Sequence, residues 1–262
     1  MDIATIVGVV AALAIVFVVQ AMEGGSAGSI LLLPSLLLVF GGSLGAAMAG
    51  GVLKDTLGIG NQLKRAFTTK VTPPNELVDS VVSMAERARR EGLLALEDAV
   101  KEVKHPFLKR GLQLAIDGTD PEELHDILHA EVAAKKKADR AGSKIFENMG
   151  GYAPTIGIIG TVMGLVHVLE NLDKPESLGH SIAAAFVATL WGVLSANILW
   201  LPIAERLKRL SGIEAEEMEL AIEGVMAIQS GSNPRLVAQK LRSLLPPDAA
   251  RAEPADKIKK AA

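Results

Sequence analysis

Two threonines, Thr161 and Thr189, lie well inside apolar stretches that hold no Asp, Glu, Lys or Arg. A hydroxyl in that setting has two uses. It can return to a backbone carbonyl one turn earlier, which costs little and says nothing of function. Alternatively, it can face a polar path together with a counterpart on the next, antiparallel stretch. Asn197 and His167 add further donors to the same two stretches, His167 nearer an end. Pro154 and Pro202 each remove a backbone N–H near one end of a stretch. Hydroxyls in mid-span and prolines at the ends suit helices that line something rather than merely face lipid. No carboxylate lies inside any apolar run, since Asp2, Glu23 and Glu170 all stand at ends. A proton path needs a titratable carrier, and a sodium site needs oxygen ligands, generally with some negative charge. If this chain moves ions, the acid comes from another chain.

Other clusters promise less chemistry. His125 and His129 stand one helical turn apart, as metal ligands would, but Asp126 replaces the zincin glutamate and no third ligand is placed. GIIGTVMG has three glycines and no lysine to reach a phosphate, which makes it a packing motif. Lys135-Lys136-Lys137 reads as a solvated face, and no nucleophile constellation stands out. The pattern predicts no enzyme, no bound metal or cofactor and no nucleic-acid partner.

These residues are positioned by four apolar runs. Ile3–Met22 has 20 residues, Gly24–Leu53 has 30, Gly151–Leu169 has 19 and Ser181–Ala204 has 24. Each is long enough to cross a hydrocarbon core of about 30 Å as a helix. The start, MDIATIVGV, lacks the basic region of a cleavable signal, so the first run is expected to be retained. Apolar residues make up 49% of the chain and aromatic ones only 3%, a composition suited to close helix packing in lipid. Small residues recur every fourth position at Ala184, Ala188, Gly192 and Ala196, and again at Gly160 and Gly164, either for packing within the chain or for a subunit interface. There is no cysteine, so disulfides and thiolate metal sites are excluded and the redox compartment is left unread.

The expected fold is therefore all-α. Residues 1–53 hold two membrane helices, 54–150 a large cytoplasmic helical block, 151–204 two further membrane helices, and 205–262 a cytoplasmic helical tail, disordered after about residue 246. Of the 27 Lys and Arg, 16 fall in 54–150, 10 in 205–262 and one, Lys174, in the link between the last two runs. That asymmetry places the block, the tail and both termini in the cytoplasm. Within the block, Pro73-Pro74-Asn75 starts a helix with Leu77, Val81, Val82, Met84, Ala85 and Ala88 on its apolar side, and Gly92 interrupts it. Asp120-Pro121-Glu122-Glu123 starts another, expected to run to Asn148 and stop at Gly150-Gly151. Glu205–Gln229 should extend the fourth span, with a shorter helix after Pro234.

Three segments carry a resemblance. GGYAPTIGIIGTVMGLVHVLENL, AFVATLWGVLSANILWLPIAERL and MAERARREGLLALE, set in two pairs of spans around a helical block, resemble the MotA/PomA family of flagellar motor stator proteins. The likeness covers all but about the last fifteen residues. It implies a pentamer of this chain in the bacterial inner membrane around a dimer of a MotB-type partner. That single-span, peptidoglycan-binding partner would carry the ion on an Asp, supplying the acid this sequence lacks. It also implies that Pro154 and Pro202 couple ion flow to conformational change, and that Arg89 and Glu97 engage a FliG-type rotor protein. Thr161 and Thr189 match ion-path threonines. Sodium-type members carry Thr-Thr where this chain has Ala188-Thr189, which favours protons over sodium. The alternative is an energy-transducing proton channel subunit of the more distant ExbB/TolQ kind, which has three differently arranged spans and lacks RREGLLALE. A self-sufficient transporter is opposed by the missing intramembrane acid, and a metal enzyme by the missing third ligand.

Overall fold

The computed structural model describes residues 3–69, 73–173 and 175–246, and every described element is helical. The tail expected to be disordered beyond residue 246 lies outside the described residues. The chain divides into two compact units, one of Met1–Lys70 with Ala138–Leu210, the other of Val71–Lys137 with Ser211–Ala262.

The first unit opens with α1, Ile3–Met22, which has no charge or proline to interrupt it. Gly24, at φ 80°, ends it. None of the apolar window Thr5–Met22 is buried within the chain, so its surface must be covered by lipid or by other chains. The second apolar run is not one helix. A short turn, α2 (Ala27–Ile30), is followed by a break at Leu31 and Leu32. Then come α3 (Leu33–Leu36), a π turn over Leu37–Gly41 and α4 (Gly42–Ala49). Pro34 accounts for the break: its missing N–H is the one that would bond the Ile30 carbonyl in a continuous helix. Two short helices follow, α5 (Leu53–Leu57) and α6 (Ile59–Thr68), and Arg65 of α6 grips Asp139 through two hydrogen bonds of 2.5 and 3.1 Å.

The second unit begins with α7, Pro74–Glu91, which buries Leu77, Val78, Val81 and Ala85 and half-buries Val82, Met84 and Ala88. Gly92, at φ 85°, closes it, a conformation that only glycine adopts without strain. A 3-10 turn (Leu93–Leu96), α8 (Glu97–Lys101) and α9 (Pro106–Ile116) follow. Their apolar faces form one core with the start of α10 and the end of α12, in which Leu96, Leu108, Leu112, Leu124 and Leu128 are fully buried.

Helix α10 runs from Pro121 to Glu170 without a stop at Gly150-Gly151, contrary to the sequence expectation. Its 50 residues measure about 75 Å at the usual rise. Packing overrides the poor helix propensity of the glycines: a side chain at Gly150 would lie 2.7 Å from Leu201 Cδ2, while Phe146, Met149 and Ala153 around it are buried. The Asp120 carboxylate accepts the Glu122 N–H at 2.9 Å and caps the start. After the polar link come α11 (Pro175–Leu194), a second π turn (Ser195–Trp200) and α12 (Leu201–Gln229), so helix continues beyond the fourth apolar run as expected. Helix α13, Pro234–Ser243, lies against α7. By length and composition three helices can cross a membrane, at Thr5–Met22, Pro121–Glu170 and Leu178–Gln229, and the shorter apolar Leu33–Ala49 makes a fourth stretch.

Candidate functional site in the paired apolar helices

Glycines bring α10 and α11 into backbone contact. A Cβ on Gly157 would lie 2.8 Å from the Ala188 carbonyl oxygen and 3.0 Å from Thr189 Cα, and one on Gly192 would lie 2.6 Å from the Ala153 carbonyl oxygen. Gly160 and Gly164 meet the methyl groups of Ala188 and Ala185 in the same way. The small-residue stripes thus pack within the chain, through dispersion along a seam only small residues allow.

That close approach brings the two threonines together. The Thr161 and Thr189 hydroxyls are hydrogen-bonded to each other. Thr161 Oγ1 also lies 3.3 Å from the Gly157 carbonyl and 3.2 Å from that of Ala185, and Thr189 Oγ1 lies 3.2 Å from the Gly157 carbonyl. Each hydroxyl has one proton to donate, so these contacts cannot all be made at once. Either Thr161 donates to Thr189, which donates to Gly157, or Thr189 donates to Thr161, which donates to Gly157 or Ala185. The pair can reverse its direction and cannot hold a charge. The return to a backbone carbonyl weighed from the sequence is therefore present, and the two hydroxyls also meet across the seam. Ala188 is buried against Gly160.

Pro154 lies within α10 on the same seam, its Cα 3.3 Å from a Cβ built on Gly192, and it has no N–H for the Gly150 carbonyl. Pro202 is the second residue after the π turn. Asn197 spends its amide on the Val193 carbonyl at 2.8 Å, and His167 is exposed near the end of α10. Below the seam, Glu147 takes hydrogen bonds from Lys208 and Lys144, which hold its carboxyl below the usual range.

Sequence reasoning missed Trp191. Its indole N–H donates to the Ile30 carbonyl at 2.5 Å, replacing the donor that Pro34 cannot supply. It also packs against Phe40, which in turn meets Trp200. A tryptophan deep in an apolar run, with an N–H to satisfy, was the available signal.

In the second unit Arg89, on the last turn of α7, and Glu97, opening α8, are both exposed and lie on either side of the Gly92 break. The His125 and His129 rings meet at a tilt of 50° with centroids 4.2 Å apart, and no group of three metal-ligating side chains occurs among the described residues.

Long uncharged helices packed through glycines around paired hydroxyls define a helical membrane protein with a polar element between its spans. Comparison with known proteins narrows this class. Residues 99–220 match the MotA/TolQ/ExbB proton channel family and residues 6–92 the motility protein A N-terminal family. Motility protein A of Bacillus subtilis (strain 168) is 36% identical over 247 residues, covering 94% of this chain and 92% of that protein. Among solved structures, C. jejuni MotAB matches with a TM-score of 0.91 at 30% identity, covering 97% of this chain and all of the other. The flagellar MotAB stator complex from Bacillus subtilis matches with a TM-score of 0.86 at 36% identity, with 98% of each chain covered. The chain belongs to the motility protein A family, the ion-channel subunits of flagellar stators. The family is one of channels, not a class of enzymes, and the N-terminal match sets this chain apart from the ExbB/TolQ kind.

Proposed function

We propose that this chain couples proton flow to torque as a homopentamer around two copies of a MotB-type partner, whose Asp carries the ion past the Thr161–Thr189 pair. The observation that carries this reading is the pair itself, two hydroxyls that relay but hold no charge, in spans without a carboxylate. The solved relatives are MotAB assemblies, which supports a MotB-type partner. Residues 1–53 and 151–204 form the inner-membrane spans, and 54–150 and 205–262 lie in the cytoplasm with both termini. In support, the only exposed large hydrophobic residues of the second unit, among those described, are Leu94, Leu236 and Leu244. Pro154 and Pro202, each a point where a helix lacks a backbone donor, act as the coupling joints. Arg89 and Glu97 present opposite charges to a FliG-type rotor protein.

Protons are favoured because sodium would need oxygen ligands to replace its water, and Ala188 offers a methyl buried against Gly160. The experiment measures motor speed against sodium concentration at fixed membrane potential and pH. Speed should not change with sodium, and Thr189→Ala should lower it. A saturable rise with sodium that potassium does not reproduce would refute proton coupling.

A further inference from the structure

Helix α9 has an unusual cap. Its first helical residue is Pro106, and the residue before it, His105, accepts the Leu108 N–H on its ring Nδ1 at 3.2 Å. Ser, Thr, Asp and Asn are the common residues at this position because their oxygens accept at any ordinary pH. An imidazole nitrogen accepts only while unprotonated. The bond therefore fixes the ring proton on Nε2, which points to Glu217 Oε2 at 4.0 Å.

We propose that His105 is an acid-responsive cap: protonation at Nδ1 releases the Leu108 N–H and loosens the first turn of α9 where it packs against the Leu93–Leu96 turn and α8. That turn is no free end. Leu108 is fully buried and Phe107 nearly so, and α8 begins at Glu97. A cation at this place also meets the positive end of the helix dipole.

The charges around His105 define its response. From α12, Glu217 faces the ring, with Glu214 one turn before it and bridged to Lys135 of α10 at 2.5 Å. Glu131 of α10 pairs with Arg110 of α9 at 3.3 Å. A cleft of about 770 Å³ beside the ring is bordered by Glu76 and Arg87 of α7 and by Glu102 and Lys104 before the cap. Arg87 is bonded to Glu91. Glu217 is thus the nearest anion. Burial holds the His105 pKa below the usual imidazole range, while burial first and Glu214 second raise that of Glu217. The lowered His105 value means that the cap contributes fully above about pH 6.5 and is lost as pH falls through its folded value. Glu217 works oppositely: its raised value favours the fold at low pH, a contribution lost as pH rises from about 4.5.

The test is amide hydrogen exchange on the full-length chain purified with its partner subunit. Relative to intrinsic exchange, Leu108 protection should hold steady above about pH 6.5 and drop about fivefold once the pH has fallen through the lowered folded value, the effect of losing a cap. His105→Asn keeps an acceptor and removes the titration, so its profile should be flat. Glu217→Gln removes the facing anion and should move the drop to lower pH. An unchanged drop in His105→Asn, or a shift to higher pH in Glu217→Gln, overturns the proposal. A consequence for torque rests on Glu97 meeting the rotor and has its own readout. Under a weak-acid load His105→Asn should hold motor speed where the parent slows. Equal slowing, with the exchange results intact, overturns the link to the rotor and leaves the cap standing.

Discussion

Adding one methyl group at Gly157 tests whether the α10–α11 seam sets the threonine geometry. The new Cβ would lie 2.8 Å from the Ala188 carbonyl oxygen, 3.0 Å from Thr189 Cα and 3.2 Å from Gly192 Cα. All three are backbone atoms, so no side chain can swing aside. Bringing the shortest contact to ordinary separation parts the helices by roughly half an ångström, enough to forfeit about a quarter of each dispersion contact nearby. Overpacking of this kind costs about 1–3 kcal/mol, against a gain of about 1 kcal/mol from replacing a helical glycine by alanine. The net expectation is a loss of up to about 2 kcal/mol. The shift also moves the Gly157 carbonyl, which both hydroxyls contact, so speed should fall by more than the loss of folded protein explains. Gly212→Ala is the control, since nothing lies within 4 Å of its added Cβ, and it should be neutral or stabilising. The assay pairs thermal unfolding of the purified complex with motor speed per membrane-inserted copy. A Gly157→Ala variant with parental stability and speed would refute the argument that this seam is closed to a side chain.

Arg89→Glu and Glu97→Lys should each lower swimming speed while membrane abundance stays at the parental level, because exposed charge changes usually alter stability by only about ±0.5 kcal/mol. Speed lost only in proportion to protein would make the two residues structural. Trp191→Phe leaves the buried Ile30 carbonyl without a donor, at a cost of about 1–3 kcal/mol, read as a lower unfolding temperature. Adding Pro34→Ala to that variant returns a backbone N–H to the position and should recover part of the loss; no recovery would show that ring packing, not the hydrogen bond, holds the segment.

Apolar patterning made most of the fold legible, because uncharged runs of this length have few other uses. The buried face of α7 and the capped start at Asp120 were readable for the same local reasons. The continuity of α10 through Gly150-Gly151 was not, since propensity argues for a stop and only Leu201 and Trp200, some fifty positions away, reverse it. The break at Leu31 was not read, although Pro34 stands in that run, and the Trp191 indole that satisfies Ile30 there comes from 161 residues away. Thr161 and Thr189 could be named from the sequence, whereas their shared acceptor at Gly157 depends on a helix separation that no one-dimensional pattern contains. Nothing in the sequence marks His105 as a cap, because that role depends on its ring facing a backbone N–H.

The two π turns, at Leu37–Gly41 and Ser195–Trp200, bear on how such spans change length over evolutionary time. A π turn closes its hydrogen bonds one residue further along than an α turn does, so it holds a surplus residue. Removing one residue there lets the turn relax to α while the faces before and after it keep their orientation. A deletion elsewhere in α10 or α11 would rotate everything downstream by about 100° and carry Thr161 away from Thr189. Single-residue length differences among relatives should therefore collect in these two windows, and an engineered deletion at Asn197 should be tolerated where one at Val187 is not.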